Sequence, residues 1–161
     1  MKLTIELVPR PCWYFNLRSE LTTEEWDALR RSTYKRAGYK CEICGSTGDK
    51  HPVECHEIWE YNDENKIQTL RGLIALCPMC HSCKHIGRSA MVGKRGECVA
   101  HMRMINKWST EDTEWYIHDT FRIWKERSRH EWTLNLHYLD VLRAEIKGGN
   151  HEIQKTGRKF C

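Results

Sequence analysis

The sequence predicts a single α+β domain in which a small metal-braced hairpin is supported by helices and a few peripheral strands. Residues between two Cys-x-x-Cys pairs alternate as strands do, and the flanking segments place apolar residues at helical spacing. A chain of 161 residues fits one core of ordinary size. With 40% hydrophobic and 30% charged residues, the composition is globular, and no stretch approaches the ~18 apolar residues of a membrane span. We therefore expect one domain over residues 1–146 and no association with a membrane.

Residues 3–38 predict a strand followed by a helix. Three apolar residues alternate with polar ones at the start, as in a half-buried strand: Leu3, Ile5 and Leu7. The run Thr22 to Trp26 then combines hydroxyl groups with first-turn acids, which is a helix N-terminus. The predicted helix continues to about Ala37, and Gly38 ends it.

Residues 97–146 predict two further helices and a strand. Cys98, Met102 and Ile105 recur at helical spacing, and a second helix is expected to begin near Ser109. Apolar and polar residues alternate from Trp132 to Tyr138, so we expect a strand there that pairs with the first strand. Residues 147–161 are basic without periodicity, which predicts a flexible tail, with a phosphate-contacting arm as the alternative.

Nine cysteines suggest metal rather than disulfides. The number is odd, no export signal precedes them, and four form two Cys-x-x-Cys pairs. We therefore expect a cytoplasmic protein whose Cys41, Cys44, Cys77 and Cys80 bind a structural Zn²⁺ through four thiolates, with Gly45 allowing the tight turn. Four buried free cysteines are the alternative.

The segment between the pairs predicts an antiparallel hairpin followed by a short helix. Two extended runs flank the polar turn 62–66, and strand alternation places His56 on the face opposite Cys55. A helix can begin at Pro78 and end at Gly87. His81 and His85, four residues apart, would share one face of it and could hold one ion.

This order of strand, strand and helix resembles the HNH, or ββα-metal, endonuclease family, in the variant braced by two Cys-x-x-Cys pairs. The resemblance covers about 45 residues, the core motif 41–87. Cys55-His56 stands where the family carries Asp-His, and Cys77-Pro-Met-Cys80-His81 matches its Cys-x-x-Cys-His. Two positions depart from the pattern: Cys55 replaces the usual Asp, and the family's central Asn falls on Gly72.

The resemblance implies metal-dependent hydrolysis of DNA phosphodiester bonds. His56 would act as general base and His81 as the second catalytic residue, on a second divalent ion (Mg²⁺, Mn²⁺, Ni²⁺ or Zn²⁺) held by Cys55, His81 and His85. A thiolate ligand would favour a transition metal over magnesium. Glu54 or Glu57 could supply the missing carboxylate.

The partner expected from this resemblance is nucleic acid, most readily DNA, with RNA left open. The net charge of +4 is small, but basic residues cluster directly after the motif. We expect Lys84, Arg88, Lys94 and Arg95 to hold backbone phosphates. The alternative function is a catalytically inert HNH-fold zinc protein that binds nucleic acid or a protein partner, and a homodimer or a purely structural zinc module also stays open.

The tryptophans at helical spacing are interpreted as core residues, with base stacking as the alternative. This interpretation covers Trp13, Trp26, Trp115, Trp124 and Trp132.

Overall fold

The computed structural model describes residues 1–14, 17–146 and 159–160 and has a mixed α+β fold. A 3₁₀ turn at Arg10–Cys12 precedes the first helix. The helices of the described residues are α1 (Leu17–Glu20), α2 (Thr23–Arg36), α3 (Pro78–Lys84), α4 (Ile86–Met91), α5 (Arg95–Asn106), α6 (Thr110–Arg127) and α7 (His137–Ile146). The strands are β1 (Glu54–Asn62), β2 (Ile67–Leu76), β3 (Thr133–Asn135) and β4 (Lys159–Phe160), and they form one sheet in the order β1-β2-β3-β4.

The predicted hairpin is confirmed and lies at the centre of the fold. β1 and β2 pair antiparallel from Glu54 opposite Leu76 to Asn62 opposite Ile67, with one irregularity after Ile58. The Asn62 side-chain oxygen accepts hydrogen bonds from the backbone N–H groups of the turn, including that of Asn65 at 2.9 Å. This bond closes the polar turn and sets the register of the two strands.

The strand predicted from Trp132 to Tyr138 is shorter than expected and pairs elsewhere. Only Thr133–Asn135 is a strand, and it runs parallel to β2. The Asn135 side chain then accepts a hydrogen bond from the backbone N–H of His137 at 3.1 Å, and helix α7 begins there. A polar residue that can cap a helix therefore interrupts the alternating pattern.

The predicted first strand does not form. Leu3 and Ile5 are buried, as their alternation predicted, but the segment pairs with no strand among the described residues. Its backbone instead bonds to helices: Leu3 N donates to the side chain of Asn106 at 2.8 Å, and Glu6 N donates to the Lys84 carbonyl at 3.0 Å. These bonds hold the N-terminal segment against α3 and α5.

The predicted helices on either side of the motif are confirmed. Capping boxes at Thr22 and Ser109 start α2 and α6, and Gly38 follows α2 with a φ of +59°. Gly87 does not end the helix after Pro78, because α3 stops at Lys84 and Gly87 lies inside α4. The basic segment 87–96 is largely helical.

Two hydrophobic clusters pack on opposite faces of the hairpin. One joins the N-terminal segment, α3, α5 and α6 to Ile74 and Leu76, and the other joins α1, α2, β3 and α7 to Leu70 and Leu73. Among the described residues, no helix has the length and apolar character needed to cross a membrane. The predicted flexible tail lies outside the described residues except for β4, which pairs antiparallel with β3.

Candidate functional site

The two Cys-x-x-Cys pairs come together as a candidate structural metal site. The sulfur atoms of Cys41, Cys44, Cys77 and Cys80 all lie within 4.8 Å of one another. Gly45 has a φ of +76°, and its N–H donates to the Cys41 carbonyl at 2.8 Å, so the predicted tight turn is present. None of the eight described cysteines forms a disulfide.

The surroundings of the cluster favour a negative charge on Cys41 over one on Cys80. A hydrogen bond from the Cys80 thiol, together with backbone N–H groups, lowers the pKa of Cys41 to about 4, despite burial. The same bond to Cys41, together with burial, raises the pKa of Cys80. Four sulfurs this close together suggest a structural metal site, and metal binding would release the thiol protons.

The cysteine site fixes the start of the helix that carries the histidines. Cys77 is the N-cap of α3, and its sulfur accepts the backbone N–H of Cys80 at 3.4 Å. His81 follows Cys80 directly, and its N–H donates to the Cys77 carbonyl at 2.9 Å. The position of His81 is therefore coupled to the geometry of the four sulfurs.

A second cluster joins three histidines from β1 and from the end of α3. His56, His81 and His85 place ring nitrogens within 4.8 Å of one another, and their ring centroids are 4.8–5.2 Å apart. His56 lies on the strand face that alternation predicted and is 5% exposed. The structure thus brings the predicted base and the two helix histidines together.

Two carboxylates, those of Glu54 and Glu6, contact this cluster and orient two of its rings. Glu54 accepts a hydrogen bond from Nδ1 of His81, so this contact does not use Nε2 of that ring. Glu6 Oε2 lies 3.1 Å from His56 Nε2, and Glu6 Oε1 lies 2.6 Å from the Lys84 ammonium. Histidines that bind metals commonly have such carboxylate partners on the second ring nitrogen.

The titration behaviour of these groups favours cation binding. Burial, followed by the charge of His56, lowers the pKa of His81 and lowers that of His85 to about 4. For Glu6, burial opposes ionisation, but the His56 hydrogen bond and charge together with Lys84 lower its pKa overall. Near neutral pH the site therefore presents unprotonated imidazoles at His81 and His85 beside an ionised carboxylate.

The donor set suits a transition metal better than magnesium. Imidazole nitrogen is a favoured ligand of zinc, nickel and related ions, whereas magnesium requires oxygen donors in octahedral geometry. The nitrogens are within 4.8 Å, compared with roughly 3.4 Å between two nitrogens on one tetrahedral zinc ion. One bound ion would require the rings to hold their nitrogens at this shorter spacing.

Cys55 does not join the second cluster, contrary to expectation. It packs against the cluster formed by α1, α2 and α7, because strand alternation turns it away from His56. His56 is the third member of the histidine cluster instead. Of the two proposed carboxylates, Glu54 lies beside His81, whereas Glu57 accepts hydrogen bonds from the Leu17 N–H and the Trp59 indole.

The four basic residues expected to contact phosphates differ in their positions. Arg88 is exposed and lines the cavities around the histidines. Lys84 is buried, because its ammonium bonds to Glu6 and to Thr4 at 2.9 Å, so it does not face a phosphate. Lys94 is exposed, and Arg95 forms a bidentate pair with Glu114 on the surface.

A continuous groove runs past the histidines. One cavity of about 390 Å³ contains the three histidines, Glu6 and Arg88. Adjoining cavities of about 550 Å³ share Arg88 with it: one extends past His81 towards Tyr34, and the other extends past His85 towards Trp13. The groove gives a ligand access to the cluster from two directions.

Sequence reasoning missed Glu6, which lies 50 residues from His56 along the chain. It occupies a polar position of an alternating segment, and no spacing rule connects it with the motif. The interpretation of the tryptophans as core residues holds for Trp132, which is 1% exposed, but Trp13 and Trp115 are 56% and 68% exposed.

Comparison with protein-family models, with curated proteins and with solved structures found no match to this chain.

Proposed function

We propose that this protein is a metal-dependent endonuclease of the HNH type that hydrolyses DNA phosphodiester bonds, and that the four cysteines hold a structural Zn²⁺. One observation carries the proposal: three histidines from a strand and a helix converge beside Arg88 in an accessible groove, with carboxylates behind two of them. An imidazole that a carboxylate holds in place is suited to exchange a proton with a bound water.

His56 is the general base in this proposal. Its Nε2 is bonded to Glu6, so the other ring nitrogen is the one that can accept a proton from an attacking water. The Glu6 carboxylate would stabilise the imidazolium that forms and hold the ring in place, as the acidic member of a catalytic triad does. Glu6 is thus a positioning residue rather than a catalytic one.

His81 and His85 are the metal ligands in this proposal. The bond from Nδ1 of His81 to Glu54 leaves Nε2 as the coordinating atom. An ion bound there would supply Lewis-acid stabilisation of the negative charge that develops on the phosphate oxygens. Arg88, exposed at the edge of the same cavity, would hold an adjacent backbone phosphate without reading sequence.

The test is cleavage of supercoiled plasmid by the zinc-loaded protein with Mn²⁺, Ni²⁺, Zn²⁺ or Mg²⁺ added in turn. We expect nicking with at least one transition metal, a loss of about 10²- to 10⁴-fold in His56→Ala, and a comparable loss in His81→Ala. His137→Ala is the matched control, because this histidine lies on α7 and its side chain is 68% exposed. Cleavage that persists unchanged in both site variants would refute the proposal.

The second candidate is an inert HNH-type scaffold that binds nucleic acid. Its supporting observation is the enclosure of His56, which at 5% exposure leaves little room for an attacking water. Salt-dependent binding of labelled duplex that is weakened by Arg88→Ala, without cleavage under any ion, would favour this scaffold over the enzyme.

A further inference from the structure

The arm of the groove beyond His85 ends in an ordered pair of tryptophans. The rings of Trp13 and Trp124 stack with centroids 6.3 Å apart and an angle of 16° between their planes. Both indole N–H groups donate to the carbonyl oxygen of Val8, at 2.7 and 2.9 Å. These bonds fix the indole rings side by side before any ligand arrives.

One ring of this fixed pair, that of Trp13, is open to solvent although it is apolar. Trp13 is 56% exposed, and Met91, which lines the same cavity, is 88% exposed. Leu7 and Phe121 complete the apolar walls. The cavity has a volume of about 550 Å³ and holds this exposed apolar surface rigid. Such surface is a feature of binding sites rather than of cores.

The aromatic cavity is continuous with the histidine site. Glu6, His85 and Arg88 line both the cavity of the tryptophans and the cavity of the three histidines. A ligand that places a phosphate at the histidines can therefore extend a neighbouring group over Trp13.

Positive charge accompanies the aromatic surface. The Arg10 guanidinium lies 5.0 Å from the centroid of the Trp124 ring, and Arg88 lines the cavity together with the carboxylates of Glu6 and Glu57. Aromatic faces on which bases stack, together with cations that contact phosphates, are the combination by which proteins hold single-stranded nucleic acid.

We infer that the cavity of Trp13 and Trp124 is a nucleobase-stacking subsite, so the substrate class is DNA with an unpaired base next to the scissile phosphate. The identification of that phosphate rests on the proposed function. The binding of the base rests on the aromatic cavity alone. A base that is paired within a duplex cannot reach Trp13 without leaving its stack.

The test is binding of fluorescently labelled single strands to zinc-loaded protein without a second added metal. A twelve-residue oligothymidylate is compared with an abasic oligomer of the same phosphate number, and an oligouridylate of equal length tests RNA. We expect Trp13→Ala to weaken binding of oligothymidylate by about 5- to 150-fold, the range for one base–aromatic stack. The abasic oligomer should bind the wild-type protein and Trp13→Ala equally.

Trp115→Ala is the matched control, because Trp115 lies on α6, is 68% exposed and does not line this cavity. Trp13→Phe retains an aromatic face and should recover much of the affinity, which separates stacking from a general loss of folding. The inference would be overturned if wild-type protein and Trp13→Ala bound oligothymidylate with equal affinity. It would also be overturned if wild-type protein bound the abasic oligomer as tightly as oligothymidylate.

The same variants separate this inference from the proposed function. If oligothymidylate binding depends on Trp13 but no metal supports cleavage, the subsite stands and the nuclease proposal fails. If plasmid and single strands are cleaved, and Trp13→Ala binds and cleaves them as well as wild-type protein does, the nuclease proposal stands and the subsite fails.

Discussion

His56 and Glu6 form a buried pair in which the imidazole Nε2 lies 3.1 Å from the carboxylate Oε2, although 50 residues separate them in the chain. The other Glu6 oxygen lies 2.6 Å from the buried Lys84 ammonium, so one carboxylate joins the N-terminal segment, β1 and α3. The contact with Glu6 therefore orients the ring of His56 on its strand.

Replacement of Glu6 should impair turnover through His56. We expect Glu6→Gln to lower kcat by about 10- to 100-fold with little change in KM, because the amide cannot stabilise an imidazolium as a carboxylate does. Steady-state cleavage of a labelled oligonucleotide measures both constants. Glu60→Gln is the control, since Glu60 is exposed and pairs with Arg71 on the surface. A parallel rise in KM at constant kcat would contradict a positioning role.

The pH dependence of stability should carry a contribution from His85. Burial, followed by the charges of His56 and His81, lowers its pKa in the folded protein to about 4, below the ordinary value of 6.5. Between these values the unfolded chain binds a proton that the folded chain does not, so stability is lost as pH falls from 6.5 towards 4. Above 6.5 the contribution is constant.

Urea unfolding of wild-type protein and His85→Gln at several pH values isolates this contribution. The difference between the two unfolding free energies cancels the titration of the cysteine site, which both proteins share. We expect the advantage of wild-type protein over His85→Gln to shrink as the solution is acidified. An advantage that is independent of pH would contradict the buried, neutral imidazole.

The cysteine site should be required for folding. Structural zinc contributes roughly 10–16 kcal/mol in small zinc domains, which matches or exceeds the whole stability of a typical domain. Cys77→Ser should therefore lose its zinc and its cooperative thermal transition. Cys98→Ala, a buried cysteine outside the four-sulfur cluster, should keep both and lose about 1 kcal/mol. Zinc content and calorimetry measure the outcome, and a Cys77→Ser protein with an unchanged transition would contradict it.

Gly48 should be essential for the close approach of the segment after Cys41 and Cys44 to the start of α3. A Cβ at this position would lie 2.5 Å from the His51 carbonyl oxygen and 2.6 Å from the Pro78 ring. We expect Gly48→Ala to destabilise the protein by roughly 1–3 kcal/mol through this overlap. Gly96→Ala is the control, since no atom lies within 4 Å of its added Cβ, and it should be neutral or slightly stabilising. Equal thermal midpoints for the two variants would refute the tight contact.

Local patterns in the sequence predicted the parts of the fold that depend on neighbouring residues. The capping groups at Thr22 and Ser109, the hairpin turn at Asn62 and the pairing of His81 with His85 follow from spacings of a few residues. The four-cysteine cluster was also predictable, because the chemistry of metal binding imposes a spacing that few other functions require.

The errors arose where distant contacts decided the outcome. The alternation of Leu3 and Ile5 indicated burial but could not show that Asn106 and Tyr116 would bond to their backbones in place of a strand. Lys84 looked like a phosphate ligand until the fold placed Glu6 against it. In each case the deciding partner lies far away in the chain, where periodicity carries no information.

The central claim, that the three histidines form a metal-dependent catalytic centre, is tested most directly by counting bound transition metal per chain after equilibration and gel filtration. We expect two ions in wild-type protein, one in His81→Ala/His85→Ala, and two in His56→Ala, in which only the base is lost. One ion in wild-type protein, or two retained by the double variant, would contradict the centre. One ion in His56→Ala would make His56 a ligand and contradict its role as the base.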